Sequence, residues 1–164
     1  MSQVPDICQH YSHSSHGTPF IECSLAISTW GIDIIGKMTP KASNRHKFIL
    51  VAIDYFTKWV EAQSYAVLTT AKVEKFIKEN IICRYELPHD LISNQGEHFL
   101  EKIDKFCAKF GIKRHWSITY SPQANGAVEV AHKNAKVILQ KKADTHRDWA
   151  DKLPYALWAY RTSI

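Results

Sequence analysis

The spacing of hydrophobic and polar residues changes several times along the chain, and each change predicts a new element. Strands are predicted where apolar residues run continuously or alternate with polar ones; these are Trp30–Ile35, Phe48–Ile53, Trp59–Gln63, His89–Ser93 and Ile112–Trp116. The run Phe48–Ile53 (FILVAI) is apolar throughout, which is typical of a strand covered on both faces. A short turn at Asp54–Lys58 follows it, so we expect the first three strands to pair antiparallel.

Two predicted helices alternate with the later strands. The first begins after Thr69 and Thr70, a plausible N-cap, and carries an apolar stripe formed by Val73, Phe76, Ile77 and Ile81. The second follows Ser93, ends before Gly111, and presents on one face Phe99, Ile103, Phe106, Cys107 and Phe110. Cys83 also falls on an apolar helical stripe, where a free thiol acts as a small hydrophobe.

Two more helices complete the predicted order. The turn-rich segment Ser121–Gly126 leads into a helix of about 16 to 20 residues, whose core-facing side carries Ala131, Ala135 and Ile138. The last helix runs from Asp148 to Arg161, with Pro154 in its first turn or at a kink, and its apolar face carries Trp149, Leu153, Leu157 and Tyr160. The order βββαβαβαα predicts an α/β fold with a five-stranded mixed sheet flanked by helices.

Composition fits one globular domain. The 164 residues are 45% hydrophobic and 23% charged, and no apolar run approaches the roughly 20 residues needed to span a bilayer. Residues 1–28 lack periodicity and predict an irregular lead-in before a domain at 29–164. The net charge of +5 is compatible with a polyanionic partner but does not establish one.

The cysteines favour a reducing intracellular compartment. Cys8, Cys23, Cys83 and Cys107 form no CxxC pair and no framework typical of secreted proteins. Cys8 with three nearby histidines suggests either a zinc cluster or a polar tail; the histidines are His10, His13 and His16. The tail is favoured, because structural zinc usually needs two ligand pairs separated by a folded turn.

Two sets of polar residues are candidates for chemistry. Asp33 lies inside an apolar strand, where a carboxylate needs a basic partner, capping backbone N–H groups or a bound cation. One stripe of the long helix carries Glu129, Lys133, Lys136 and Gln140. It is either a solvated face with Glu–Lys support, or a metal-binding carboxylate with lysines placed for phosphates. The residues alone leave both alternatives open.

Three segments resemble the integrase core of gypsy-type LTR retrotransposons, particularly those of plants. They are WGIDIIG at Trp30–Gly36, LISNQGEHF at Leu91–Phe99 and SPQANGAVE at Ser121–Glu129. The stretches FILVAIDYFTKWVE and LPYALWAYRTS are similar too, so the resemblance runs from about Thr29 to Ile164. Order, spacing and residue type all agree, which makes the resemblance specific.

The resemblance implies an RNase H-like DDE polynucleotidyl transferase that processes DNA 3′ ends and joins them to target DNA in the nucleus. Its three metal-binding positions would be Asp33, Asn94 and Glu129. They would hold two Mg²⁺ or Mn²⁺ ions, one activating the attacking oxygen and the other stabilising the leaving oxygen. The expected DNA contacts are Lys133, Lys136, Gln123 and Asn125.

One departure bears on activity. The sequence has Asn94 where the family has aspartate, and loss of one such electrostatic contact typically costs on the order of 10²–10³ in rate. We therefore expect an impaired catalyst. Asp90 should lie about 13 Å from Asn94 along an extended strand, too far to substitute, and Glu97 is a remote candidate.

The termini also differ from the family pattern. The family's zinc-binding domain upstream and its DNA- or chromatin-binding region downstream have no counterpart, so we expect a remnant lead-in, a C-terminally truncated core and no zinc. Pro5 stands where a second zinc-binding cysteine would precede Cys8. DNA is the expected partner and a homo-oligomer is possible, with no membrane association. Two alternatives remain, a non-catalytic nucleic-acid-binding module and an inert transposon relic.

Overall fold

The computed structural model describes residues 28–39, 41–93, 102–116, 133–134, 137–138, 141 and 148–162. These residues include a five-stranded sheet, formed by β1 Thr29–Ile35, β2 Phe48–Asp54, β3 Val60–Tyr65, β4 Asp90–Ser93 and β5 Lys113–Trp116. The strand order is β3-β2-β1-β4-β5. β2 pairs antiparallel with β1 and β3, and β4 pairs parallel with β1 and β5. The predicted mixed sheet is thus confirmed, with shifts of one or two residues at strand ends.

The α-helices whose bounds fall within the described residues are α1 Thr70–Phe76, α2 Asp104–Phe110 and α3 Trp149–Arg161. Thr69 caps α1 by accepting a hydrogen bond from the Lys72 N–H on its side chain, as the sequence predicted. Gly111 ends α2 with φ of 71°, a left-handed conformation that glycine adopts without steric cost. Residues 133, 134, 137, 138 and 141 are helical, in agreement with the predicted long helix.

Hydrophobic clusters cover both faces of the sheet. On one face, Trp30, Ile32 and Ile34 of β1 belong to a cluster with α1 and α2. On the other, Ile35 of β1 joins a cluster with alternate residues of β2 and with α3, including Val51. Because successive side chains of a strand point to opposite faces, these clusters define which way each polar residue of β1 points.

The close contact between β1 and β2 accounts for the glycine that ends the WGIDIIG motif. Gly36 follows β1 and lies against the ring of Phe48 at the start of β2. A Cβ atom at residue 36 would lie 2.3 Å from the Phe48 Cδ1 atom, well inside van der Waals contact. The ring can therefore pack at this end of the strand pair only while residue 36 has no side chain.

Four details differ from the sequence predictions. The helix after Thr69 changes to a π-helical segment at Ile77–Ile82, although its apolar stripe is buried as expected. Of the two predicted placements of Pro154, the first turn is wrong: the residue lies inside α3, where it removes the N–H that would bond to the Ala150 carbonyl. Ile138 was expected to face the core but is 37% exposed. Cys83 is exposed just beyond the π-helical segment, whereas Cys107 is buried.

None of the helices in the described ranges is both long and apolar enough to cross a bilayer.

Candidate active site

Asp33 lies near the middle of β1 and is half-buried. Its cross-strand neighbour on β2 is Val51, which places the carboxylate on the same face of the sheet as α3. The Asp33 Oδ1 atom accepts a hydrogen bond from the Ile34 N–H at 2.9 Å. A hydrogen bond from a backbone N–H group, one of the three interactions that the sequence allowed for this carboxylate, is therefore observed.

The register of β1 and β4 brings the end of β4 next to Asp33. Ile32 pairs with Ser93, the last residue of β4, and the two strands run parallel. Adjacent strands lie about 4.8 Å apart; Asp33 follows Ile32 on β1, and Asn94 is the next residue in the sequence after Ser93. Asn94 itself lies outside the described residues.

A guanidinium group holds the end of β4 from the opposite face. The Ser93 side chain is buried, and its hydroxyl oxygen accepts a hydrogen bond from Arg114 Nη2 at 3.2 Å. Arg114 also forms an ion pair with Asp104 of α2 and stacks over the Trp116 ring, 4.2 Å from its centroid. Sequence reasoning did not single out Arg114. The alternation of β5 places it on the inward face with Ile112 and Trp116 and could have identified it.

Asp90 lies at a different place on the sheet from Asp33 and is hydrogen-bonded to two histidines. It pairs with Thr29, four positions before Asp33, a separation of about 13 Å along β1. Its Oδ2 atom lies 2.8 Å from His89 Nδ1, and its Oδ1 atom lies 2.7 Å from His115 Nε2. Burial alone would raise the pKa of Asp90, but hydrogen bonds from the two histidines outweigh it and leave the pKa lowered. Asp90 therefore belongs to a separate His–Asp–His cluster.

Most of the other sequence-predicted site residues lie outside the described ranges; they are Asn94, Gln123, Asn125, Glu129 and Lys136. Lys133 is described, and it is exposed on a helical segment. Within the described residues, no three His, Cys, Asp or Glu side chains form a group that could hold a metal ion. The convergence of Asp33, Asn94 and Glu129 thus remains a prediction.

The chain is similar in sequence to parts of retroviral polyproteins. The chain is 32% identical over 130 residues to the Gag-Pol polyprotein of avian reticuloendotheliosis virus, covering 78% of the chain and 11% of that polyprotein. It is 34% identical over 121 residues to the Pol polyprotein of radiation murine leukemia virus (strain Kaplan), covering 72% of the chain and 21% of the relative. The chain thus corresponds to a small part of each. No protein-family model matches it.

A solved structure covers nearly the same extent. The crystal structure of the catalytic core domain of BIV integrase matches with a TM-score of 0.62 and 28% identity, over 81% of this chain and 82% of that one. The mixed sheet and flanking helices therefore define an RNase H-like domain. Within that class, the retroviral relatives and the solved core show that the chain belongs to the integrase catalytic cores.

Proposed function

We propose that the chain is a catalytic-core domain for DNA integration, of the gypsy-type LTR retrotransposon kind, in which Asn94 impairs catalysis. The observation that carries the proposal is the parallel pairing of Ile32 with Ser93. It brings the half-buried carboxylate of Asp33 beside the strand end that continues into the Ser-Asn-Gln-Gly motif. Asp33, Asn94 and Glu129 are proposed as the three positions that face the metal ions.

The proposed donors are hard oxygen atoms, which suits Mg²⁺ or Mn²⁺. When bound, two such ions would activate the attacking oxygen and stabilise the leaving oxygen of a phosphoryl transfer. The Asn94 amide supplies an oxygen but no negative charge, so two carboxylates would have to balance two divalent cations. The three side chains therefore offer the oxygen donors that these metal ions prefer, but they carry one negative charge fewer than three carboxylates would.

DNA would be held by residues that lie before and after Glu129 in the sequence. Lys133 is exposed on a helical segment, as a contact to the phosphate backbone requires. Lys136 follows Lys133 three residues later in the sequence, and Gln123 and Asn125 precede it; these three residues lie outside the described ranges. An integration function would place the protein in the nucleus.

A strand-transfer assay with a labelled DNA end and Mn²⁺ tests the catalytic part of the proposal. We expect little or no product from the natural sequence and a gain of on the order of 10²-fold or more from Asn94→Asp. The matched control is the double variant Asn94→Asp/Asp33→Asn, in which the gain should disappear. Full activity of the natural sequence would contradict the impaired site, and activity of the double variant would remove Asp33 from it.

A non-catalytic DNA-binding module is the second candidate, favoured by exposed Lys133 together with the net charge of +5. Such a module binds DNA without turnover even after Asn94→Asp. The substitution pair Lys133→Ala/Lys136→Ala should weaken binding and lower the salt slope by about one per lysine. Lys75→Ala/Lys78→Ala, which removes two exposed lysines of the α1 region, is the matched control. An inert relic would show neither turnover nor salt-dependent binding.

A further inference from the structure

A cavity of about 490 Å³ opens where β1 and β2 meet the segment that follows the π-helical residues. Four aromatic side chains line it, and they are Trp30, Phe56, Trp59 and Tyr85. The remaining lining residues are Ser28, Asp54, Thr57 and Glu86. This volume is within the range of pockets that bind small organic groups, about 300 to 1,000 Å³.

Two of the four rings that line this aromatic cavity are hydrogen-bonded to a buried carboxylate behind them. Glu61 is 2% exposed, and its Oε1 atom accepts hydrogen bonds from Trp59 Nε1 at 3.1 Å and from the Tyr85 hydroxyl. The Trp30 and Tyr85 rings contact each other, with centroids 5.3 Å apart and an interplanar angle of 38°. The polar edges of two rings are thus satisfied away from the cavity, which leaves aromatic surface to line it.

The charged residues that line the aromatic cavity are acidic. Among the described residues that line it, Asp54 and Glu86 are acidic and none is Lys or Arg. The Asp54 carboxylate accepts a hydrogen bond from the Thr57 N–H at 3.0 Å, which fixes its position in the β2–β3 turn. Within the described part of the chain, Glu86 forms no ion pair and is exposed.

Two of these rings already accept cations from the protein itself. The Arg161 guanidinium lies 4.4 Å from the centroid of the Trp59 ring, and that of Arg84 lies 5.9 Å from the centroid of the Tyr85 ring. Both arginines are paired with Glu61, whose single negative charge offsets one of the two guanidinium charges. Electron-rich rings with nearby carboxylates attract weakly hydrated cations.

We propose that the aromatic cavity is a binding site for a methylated ammonium group, such as the end of a trimethyllysine side chain. Aromatic rings favour such a group because its charge is spread over methyl groups that can contact the ring faces. Asp54 and Glu86 add long-range attraction for the positive charge. A bare ammonium group is strongly hydrated and gains less from the same rings.

The site is separate from the candidate active site and goes beyond the proposed function. Trp30 belongs to the cluster on the α1 face of the sheet, whereas Asp33 lies on the α3 face. The two residues are also three positions apart on β1, about 10 Å along the strand. Binding in the aromatic cavity can therefore be measured without metal, DNA or turnover.

The test is a ligand-observed NMR titration of the full chain with a short peptide whose only charged group is one trimethyllysine. We expect its methyl resonances to move upfield, because the protons would lie over aromatic faces. The unmethylated peptide and the neutral tert-butyl isostere should each bind several-fold more weakly. Equal binding of the isostere would show a purely hydrophobic cavity and overturn the proposal. Choline in a parallel titration distinguishes a free cation from a peptide-borne one, and saturable binding of either supports the site.

Paired variants locate the binding. Phe56 is 76% exposed, so Phe56→Ala should leave the fold intact and weaken binding about tenfold. Tyr85→Leu and Tyr85→Phe both lose the hydrogen bond to Glu61, but only Tyr85→Leu should lose affinity, because Tyr85→Phe keeps the ring.

Glu86→Gln should weaken binding more at low salt than at high salt. Tyr155→Ala, at an exposed aromatic residue of α3, is the control, and unchanged affinity in Phe56→Ala and Tyr85→Leu would contradict the assignment.

Discussion

Arg161 at the end of α3 forms an ion pair with Glu61 on β3, with 2.9 Å between Arg161 Nη2 and Glu61 Oε1. Arg161 also donates two hydrogen bonds to the Val60 carbonyl, at 3.0 Å and 2.6 Å. β3 is an edge strand, and Glu61 also accepts a hydrogen bond from Arg84, beyond the π-helical segment. Glu61 therefore links α3 to the edge strand of the sheet and to the segment that follows the π-helical residues.

We expect Glu61→Ala to lower the free energy of unfolding by about 3 kcal/mol, since removing one partner of a buried pair leaves the other charge uncompensated. The Glu61 side chain is 3% exposed and that of Arg161 is 20% exposed. Urea unfolding followed by circular dichroism measures the change. Lys75→Ala breaks the exposed pair with Glu79 and should change stability by less than about 1 kcal/mol. Equal effects of the two substitutions would show that Glu61 has no special structural role.

The His89–Asp90–His115 cluster makes part of the stability depend on pH. The pKa of Asp90 is lower in the folded chain than its ordinary value of 3.8. The carboxylate therefore contributes stability above about pH 4, and this contribution is lost as the pH falls through the folded-state pKa. We expect Asp90→Asn to cost on the order of 2 kcal/mol near neutral pH and progressively less below about pH 4.

Urea unfolding of the natural chain and of Asp90→Asn, at about pH 6.5 and at about pH 3.5, measures the difference in their free energies of unfolding under near-neutral and acidic conditions. His46→Gln is a matched control, because His46 contacts the Ser64 hydroxyl and, among the described residues, forms no ion pair with a carboxylate. A stability difference between Asp90→Asn and the natural chain that is the same at both pH values would contradict the linkage.

Metal binding at the proposed site has a readout that does not require turnover. A ligand that binds only the folded state stabilises it by about 2.7 kcal/mol at a hundred times its dissociation constant. We expect millimolar Mg²⁺ to raise the midpoint of thermal unfolding of Asn94→Asp clearly and that of the natural chain little. Asn94→Asp/Asp33→Asn should again respond little. A rise of similar size in all three proteins would place the stabilising ion elsewhere.

Local patterns in the sequence predicted most of the fold. Strand alternation and helical spacing depend on which residues avoid water, and that preference is present in every short segment. The apolar stripe of α1 and the glycine that ends α2 are of this kind. The π-helical segment at Ile77–Ile82 keeps the same buried residues as an α-helix would, so the apolar pattern could not distinguish the two.

Contacts between distant segments could not be predicted in the same way. The pairing of Ile32 with Ser93 depends on the path of the intervening chain, and no local pattern in β1 or β4 specifies it. The ion pair between Glu61 and Arg161 likewise requires α3 to dock beside β3. Asp33 was identified because a carboxylate in an apolar strand is unusual by itself. The aromatic cavity was missed, because its lining comes from three separate segments of ordinary composition.

The two described cysteines offer a test of burial at single residues. Burial raises the pKa of the Cys107 thiol to about 11, and the residue is 2% exposed, whereas Cys83 is exposed. At about pH 8 only roughly one Cys107 thiol in a thousand would be ionised, and the thiolate is the reactive form. We expect iodoacetamide to modify Cys83 in the folded chain and to spare Cys107 until urea is added, as measured by peptide mass spectrometry. Modification of both at the same rate in the folded chain would mean that α2 does not remain packed on the sheet in solution.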